Sequence, residues 1–122
     1  MLVHADLDVI GPRGDRLTVR FLVDSGAFYS VLPAPAWQAI GLVATRELEF
    51  VLADGTSIAR QVSDCRFICE GIEAPSSVIL GVGDDVGLLG TVTLDTLGLI
   101  LNPLRRTLSL MRMRLASCAV AS

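Results

Sequence analysis

Residues 21–33 read FLVDSGAFYSVLP. An apolar run ends in a carboxylate, Asp24, and a small hydroxyl residue and a glycine follow at once. Just upstream, Leu17, Val19, Phe21 and Val23 recur at every second position, with Thr18 and Arg20 between them. That period of two predicts a strand with one buried face, and the strand delivers Asp24 at its end. A lone buried charge is costly. This carboxylate must therefore share its proton, pair with a cation, or be put to use.

Working outward, residues 2–9 alternate loosely and read as a strand, and Gly11-Pro12-Arg13-Gly14-Asp15 reads as a turn. The two strands make a hairpin. Past the Asp24 turn, Val31-Leu32 is a short extended piece, and Pro33 and Pro35 suit the start of a short helix over Ala34–Ile40, closed by Gly41. Leu48, Phe50 and Leu52 then alternate with Glu47, Glu49 and Val51. Asp54-Gly55 follows, the strongest short turn signal in the chain, with Ile58 and Val62 beyond it. This predicts a second hairpin with its tip at Ala53-Asp54-Gly55-Thr56. Cys65–Cys69 reads as strand, Glu70-Gly71-Ile72-Glu73 as turn, and Ala74–Leu80 as strand. Residues 81–87, GVGDDVG, are a glycine-rich loop. Thr91 is placed to cap a short helix that Gly98 ends. Leu99–Leu101 is a brief strand, Asn102-Pro103 a turn and Thr107–Leu115 a last strand. Many short strands, two short helices and no linker or repeat predict one all-β domain over residues 1–122.

Composition removes several classes of function. The net charge of −3 speaks against a general nucleic-acid footprint. Arg105, Arg106, Arg112 and Arg114 read as a solvated edge rather than a polyanion site. No apolar run approaches the roughly 18–20 residues of a membrane span. Asp6 and Asp8 stand where a signal peptide would be apolar or basic, so the expected place is the cytoplasm, as the chain itself or as a soluble piece of a longer protein. The chain has no lysine, which excludes Walker-type phosphate binding, Schiff-base chemistry and Ser–Lys catalysis. The loop at 81–87 misses the dinucleotide spacing by one residue, and Asp84-Asp85 would repel a pyrophosphate, so it reads as a surface loop. Cys65, Cys69 and Cys118 make an odd count, read as apolar thiols rather than a disulfide framework or a metal site. His4 is the single histidine and reads as a surface residue of the first strand, which leaves Ser-His-Asp or Cys-His catalysis without a base. No metal and no cofactor is expected.

The sequence Val23-Asp24-Ser25-Gly26-Ala27, then Ser30, Leu32-Pro33, an Asp-Gly hairpin, Leu88-Leu89-Gly90, Leu94-Asp95-Thr96-Leu97-Gly98-Leu99 and an Asn-Pro turn resembles the retropepsin-like aspartic proteases. It is most similar to the small bacterial and archaeal forms, related to the retroviral proteases, and the likeness runs from about Leu17 to Leu110. The resemblance implies an acid-protease barrel with a flap. It implies that Asp24 is the catalytic aspartate and that Ser25 donates hydrogen bonds beneath it. Gly26 and Ala27 would complete the tight loop, Ala53, Asp54, Gly55 and Thr56 would form the flap tip, and Leu88, Leu89 and Gly90 would pack behind the catalytic loop. Serine stands where the family more often has threonine.

Aspartic protease chemistry needs two carboxylates close enough to share one proton. A chain with one such loop supplies one of them, so a homodimer is expected, with both Asp24 residues on the two-fold axis. Peptide or protein is the expected substrate, bound extended, with apolar side chains facing Phe28, Val31, Leu52 and Ile58. Phe28 is read as core, substrate cleft or dimer seam, with core slightly favoured; Tyr29 is left open; and Trp37 is expected to pack the first helix on the sheet, with exposure at an interface as the alternative. Met111–Leu115 is a candidate for the dimer sheet. Two other readings are carried: a catalytically silent dimerisation or peptide-binding module of the same fold, and a small-ligand β-barrel, which gives no reason for the Asp-Ser-Gly turn.

Overall fold

The computed structural model describes residues 3–102 and 107–110. Two strands, β1 (Val3–Ile10) and β2 (Arg16–Val23), pair antiparallel over their whole length, from Val3 opposite Val23 to Ile10 opposite Arg16. Alternation places Leu7 and Val9 of β1 and Val19, Phe21 and Val23 of β2 in the core. Next come β3 (Ser30–Leu32), α1 (Ala34–Ala39), β4 (Arg46–Val51), β5 (Ser57–Cys69), β6 (Ile72–Leu80), β7 (Leu88–Leu89) and α2 (Thr91–Leu97). The last pair, β8 (Leu99–Asn102) and β9 (Thr107–Leu110), forms a small antiparallel sheet of its own.

The main sheet runs β1-β2-β7-β3-β6-β5-β4 and closes on itself because β5 also pairs with β1. β5 does two jobs along its 13 residues. Its first half pairs with β4 in a hairpin that projects from the ring, and its second half pairs with β6 and β1. The sequence reading placed Ile58, Val62 and Cys65–Cys69 in strand; these are one continuous element. The turn into β6 is tighter than expected. Glu70 and Gly71 alone make it, both with positive φ, and Ile72 and Glu73 already pair as strand.

Phe21 and Phe67 meet at the centre of the ring, their ring centroids 5.8 Å apart. Both are fully buried, as are Leu7, Leu32, Ile40 and Leu89. Each such side chain contributes about 1.5–3 kcal/mol of transfer free energy. α1 buries Ala36, and the Trp37 indole N–H donates to the Gly81 carbonyl at 2.8 Å, tying the helix to the end of β6. α2 packs on β6 through Thr93, Leu94 and Leu97. Its N-cap is Gly90 rather than the expected Thr91, which is the first helical residue. Among the described residues no helix is long and apolar enough to cross a membrane. Pro103, Arg105, Arg106, Met111–Leu115 and Cys118 lie outside the described residues, and with them the expected Asn-Pro turn, the dimer-sheet segment and the third thiol.

Candidate active site

The Asp24 turn is built by local hydrogen bonds. The Asp24 main-chain N–H donates to Leu89 O at 3.0 Å, which continues the parallel β2–β7 pairing one step past Val23. The Ala27 N–H donates to Asp24 O at 3.1 Å, and the Gly26 N–H donates to the Asp24 carboxylate at 2.9 Å. A short side chain bonding its own backbone two residues on is the property that suits aspartate to such turns. Asp24 is half-buried, while Ser25 and Gly26 are exposed, so the turn lies at the surface of the chain.

The turn is locked to α2 from behind. The first N–H groups of a helix have no partner within it. Here Thr91 and Val92 donate theirs to Ala27 O and Phe28 O, at 2.9 and 3.0 Å. Gly90 makes this approach possible: a Cβ there would lie 2.6 Å from Tyr29 O and 2.7 Å from Phe28 O. Its N–H donates to the Ser30 hydroxyl at 2.9 Å. That hydroxyl lies 2.5 Å from the Thr93 hydroxyl, which lies 2.9 Å from that of Ser76. All three are buried. Sequence reasoning placed Ser30 in the motif without a role and passed over Thr93 and Ser76. No local signal could have found them, since Thr93 lies 63 residues from Ser30 and 17 from Ser76.

Beside the turn lies a hollow of about 270 Å³ walled by Val31, Phe50, Ile58, Ile79, Val86 and Leu88, with Arg60 and Asp85 at its edge. The β4–β5 hairpin supplies Phe50, Ile58 and Arg60. At the hairpin tip, the Leu52 N–H donates to Thr56 O at 2.7 Å, and Gly55 takes φ +88°, a left-handed value that favours glycine. The Asp54 carboxylate accepts from the Thr56 hydroxyl and N–H, at 2.6 and 3.0 Å, which hold its pKa below the usual carboxylate value. Val51, Leu52 and Ile58 are exposed around this tip and make an apolar surface.

The glycine-rich loop is more than a surface connection. Its Asp85 carboxylate accepts from the Val82 N–H at 2.9 Å and from Arg60 at 3.0 Å. Those bonds, the backbone one first, lower its pKa. The loop is thereby strapped to the hairpin strand, and its Val86 forms one wall of the hollow.

Phe28 is not core: it is 65% exposed. Its carbonyl accepts from the Val92 N–H, and its ring lies edge-on to Tyr29 rather than in the core. Tyr29 is half-buried and bridges Phe28 and Phe50 by edge-on ring contacts, with centroids 5.2 and 5.8 Å apart. It links the Asp24 turn to the hairpin. Leu52 and Phe28 stand outside the hollow, while Val31 and Ile58 line it.

The two described thiols have no part in this arrangement. Burial, with the nearby Asp64 charge, pushes the Cys65 thiol up to about 12, and burial and Glu70 raise Cys69. Both remain protonated and unreactive at neutral pH. Among the described residues no three His, Cys, Asp or Glu side chains gather as metal ligands.

Comparison with known proteins fits this geometry. No curated protein matches the chain. The model of an aspartyl protease family, of the retropepsin-like clan, matches residues 9–93. That span takes in the Asp24 turn, the Asp-Gly hairpin, Leu88-Leu89-Gly90 and the start of α2. It supports a hydrolytic, protease function. A closed all-β ring bearing an Asp-Ser-Gly turn braced by a short helix, matched over most of its length, belongs to this aspartyl protease family.

Proposed function

We propose that the chain is an aspartic endopeptidase that works as a homodimer, each subunit contributing Asp24. The observation that carries this reading is a surface turn offering one carboxylate, rigidly braced from behind and set beside an apolar hollow. One carboxylate is half of the required machinery. A second copy related by a two-fold axis brings its own Asp24 turn to the first, and the contact is self-complementary. Two carboxylates at that distance hold one proton between them. The ionised member takes a proton from a water molecule as its oxygen attacks the scissile carbonyl carbon. The protonated member gives its proton to the carbonyl oxygen. Breakdown of the tetrahedral intermediate returns a proton to the leaving amine. No cofactor is needed.

Other residues have roles that follow from their places. The exposed Ser25 hydroxyl holds the two turns together across the axis. The β4–β5 hairpin, tipped by Ala53, Asp54, Gly55 and Thr56, closes over an extended peptide whose apolar side chain fills the hollow. Leu88, Leu89 and Gly90 hold the turn from behind.

The test is cleavage of a diverse peptide library by the purified chain and by Asp24→Asn, from acid to neutral pH. The wild type is expected to cut, with a bell-shaped pH profile, and the variant to lose about a thousandfold in rate or more while remaining dimeric. Equal cutting by both would overturn the mechanism. A dimer that binds peptides and cuts none would establish the silent peptide-binding module instead.

A further inference from the structure

Arg20 stands apart from the other described arginines. Arg13, Arg16, Arg46, Arg60 and Arg66 each have a carboxylate partner, Asp15, Asp8, Asp64, Asp85 and Glu73 respectively. Arg20 has none among the described residues, although Asp6 faces it across the β1–β2 ladder. It is exposed, and it lines a groove of about 380 Å³ with His4, Leu22, Val86 and Gly87.

This groove continues the hollow beside Asp24. Val86 is a wall of both. Strand pairing sets Ile79, Val31, Leu88, Leu22 and His4 in one row across β6, β3, β7, β2 and β1. The first three line the apolar hollow and the last two the groove. Arg20 and Leu22 alternate onto the outer face of β2, the strand that ends one residue before Asp24. The charge along the row is uneven. At the hollow, Arg60 is paired with Asp85; at the groove, Arg20 makes no ion pair among the described residues, with Asp6 opposite it on β1 and the His4 imidazole in the same lining. Arg20 is thus the one described arginine whose guanidinium is open to a carboxylate from outside.

We propose that the groove selects an acidic side chain, Glu or Asp, on the peptide substrate, two residues from the apolar side chain held in the hollow. An extended peptide puts side chains i and i+2 on the same side, about 6.5–7 Å apart. Val86 walls both hollows, which suits them to neighbouring same-side positions. Arg20 is the residue that determines specificity, and its ion pair forms at a site walled by Leu22 and Val86. The inference rests on the endopeptidase reading for its consequence in turnover, while the binding preference stands without it.

The test uses labelled dodecapeptides with a central Leu, Phe or Tyr and Glu, Gln or Lys two positions to either side. The wild-type dimer is expected to cut the Glu peptides about fivefold more efficiently than the Gln peptides, as one exposed ion pair allows, and the preference fades as salt is added. Arg20→Gln erases the preference, Arg20→Lys keeps part of it, and Arg20→Glu turns it toward Lys peptides, an inversion that a merely structural role would not produce. Equal cutting of Glu and Gln peptides, or a preference that survives Arg20→Gln, overturns the inference and leaves the endopeptidase standing. If no peptide is cut, fluorescence anisotropy of the same peptides decides. Tighter binding of Glu than Gln, lost in Arg20→Gln, upholds the acidic selection and sinks the endopeptidase. No difference in binding sinks the acidic selection as well.

Discussion

At the scale of single residues, Ser30 carries more than its place in a motif suggests. Its hydroxyl takes the Gly90 N–H and shares a hydrogen with Thr93, in a site with no exposure to water. Ser30→Ala would strand the Gly90 N–H, while Thr93 keeps Ser76 as a partner, and an unsatisfied buried donor costs about 1–3 kcal/mol. Chemical denaturation should read that loss with an unchanged m-value. The turnover proposed for Asp24 should fall with it, because Gly90 is the point where α2 meets the Asp24 turn. Ser30→Thr, which keeps the hydroxyl, should retain more of both. The Asp24 turn was legible in the sequence because its chemistry is local: a strand, a carboxylate, a small residue and a glycine in order. The Ser30–Thr93–Ser76 chain was not, because its members are 63 and 17 residues apart and only packing brings them together. Phe28 was misread for a related reason. Its hydrophobicity suggested core, but its carbonyl is committed to α2 and the side chain points away.

At the scale of elements, the glycine-rich loop and the β4–β5 hairpin are joined by Asp85. Its pKa is depressed in the fold, by the Val82 N–H first and by Arg60 next. A depressed carboxylate stabilises the fold fully above its unfolded pKa, about 3.9, and that contribution is lost as pH falls through the lower folded value. The strap should therefore hold at neutral and mildly acid pH and release only below that range. Amide exchange at Val82 would read this: strong protection at pH 5, with a drop on further acidification that global unfolding does not explain. Asp85→Asn should lower the protection at pH 5 and remove most of the pH dependence. The hairpin was legible from its alternation and its Asp-Gly tip. The strap was not, since Arg60 and Asp85 each look like solvated surface charges when read in order.

At the scale of the whole molecule, β1–β5 pairing closes the ring and β5 extends beyond it as half of the hairpin. The same ring leaves Ser25 and Gly26 of the Asp24 turn, Phe28 and the apolar hairpin tip exposed. The proposed dimer makes a prediction at this scale. Specific activity should not be constant on dilution, but should fall steeply once the concentration drops below the dimer dissociation constant, because a lone subunit has one carboxylate. Sedimentation measured over the same range should show monomer appearing as activity disappears. A monomer with full specific activity would rule out the shared site.

The sequence by itself determined the all-β class, the hairpins, the two short helices and the identity of the turn bearing Asp24, because periodicity, turn chemistry and a local motif are written in consecutive residues. Tertiary structure alone decided that β5 runs unbroken and closes the ring, that Ser30, Thr93 and Ser76 brace the turn, and that Asp85 ties loop to hairpin. It also decided that Arg20, without an ion pair among the described residues, lines a groove that shares Val86 with the apolar hollow. Each of these depends on which distant strands become neighbours. That choice is made by burial of Phe21, Phe67, Leu32 and Leu89 in one shared core, not by any stretch of chain alone.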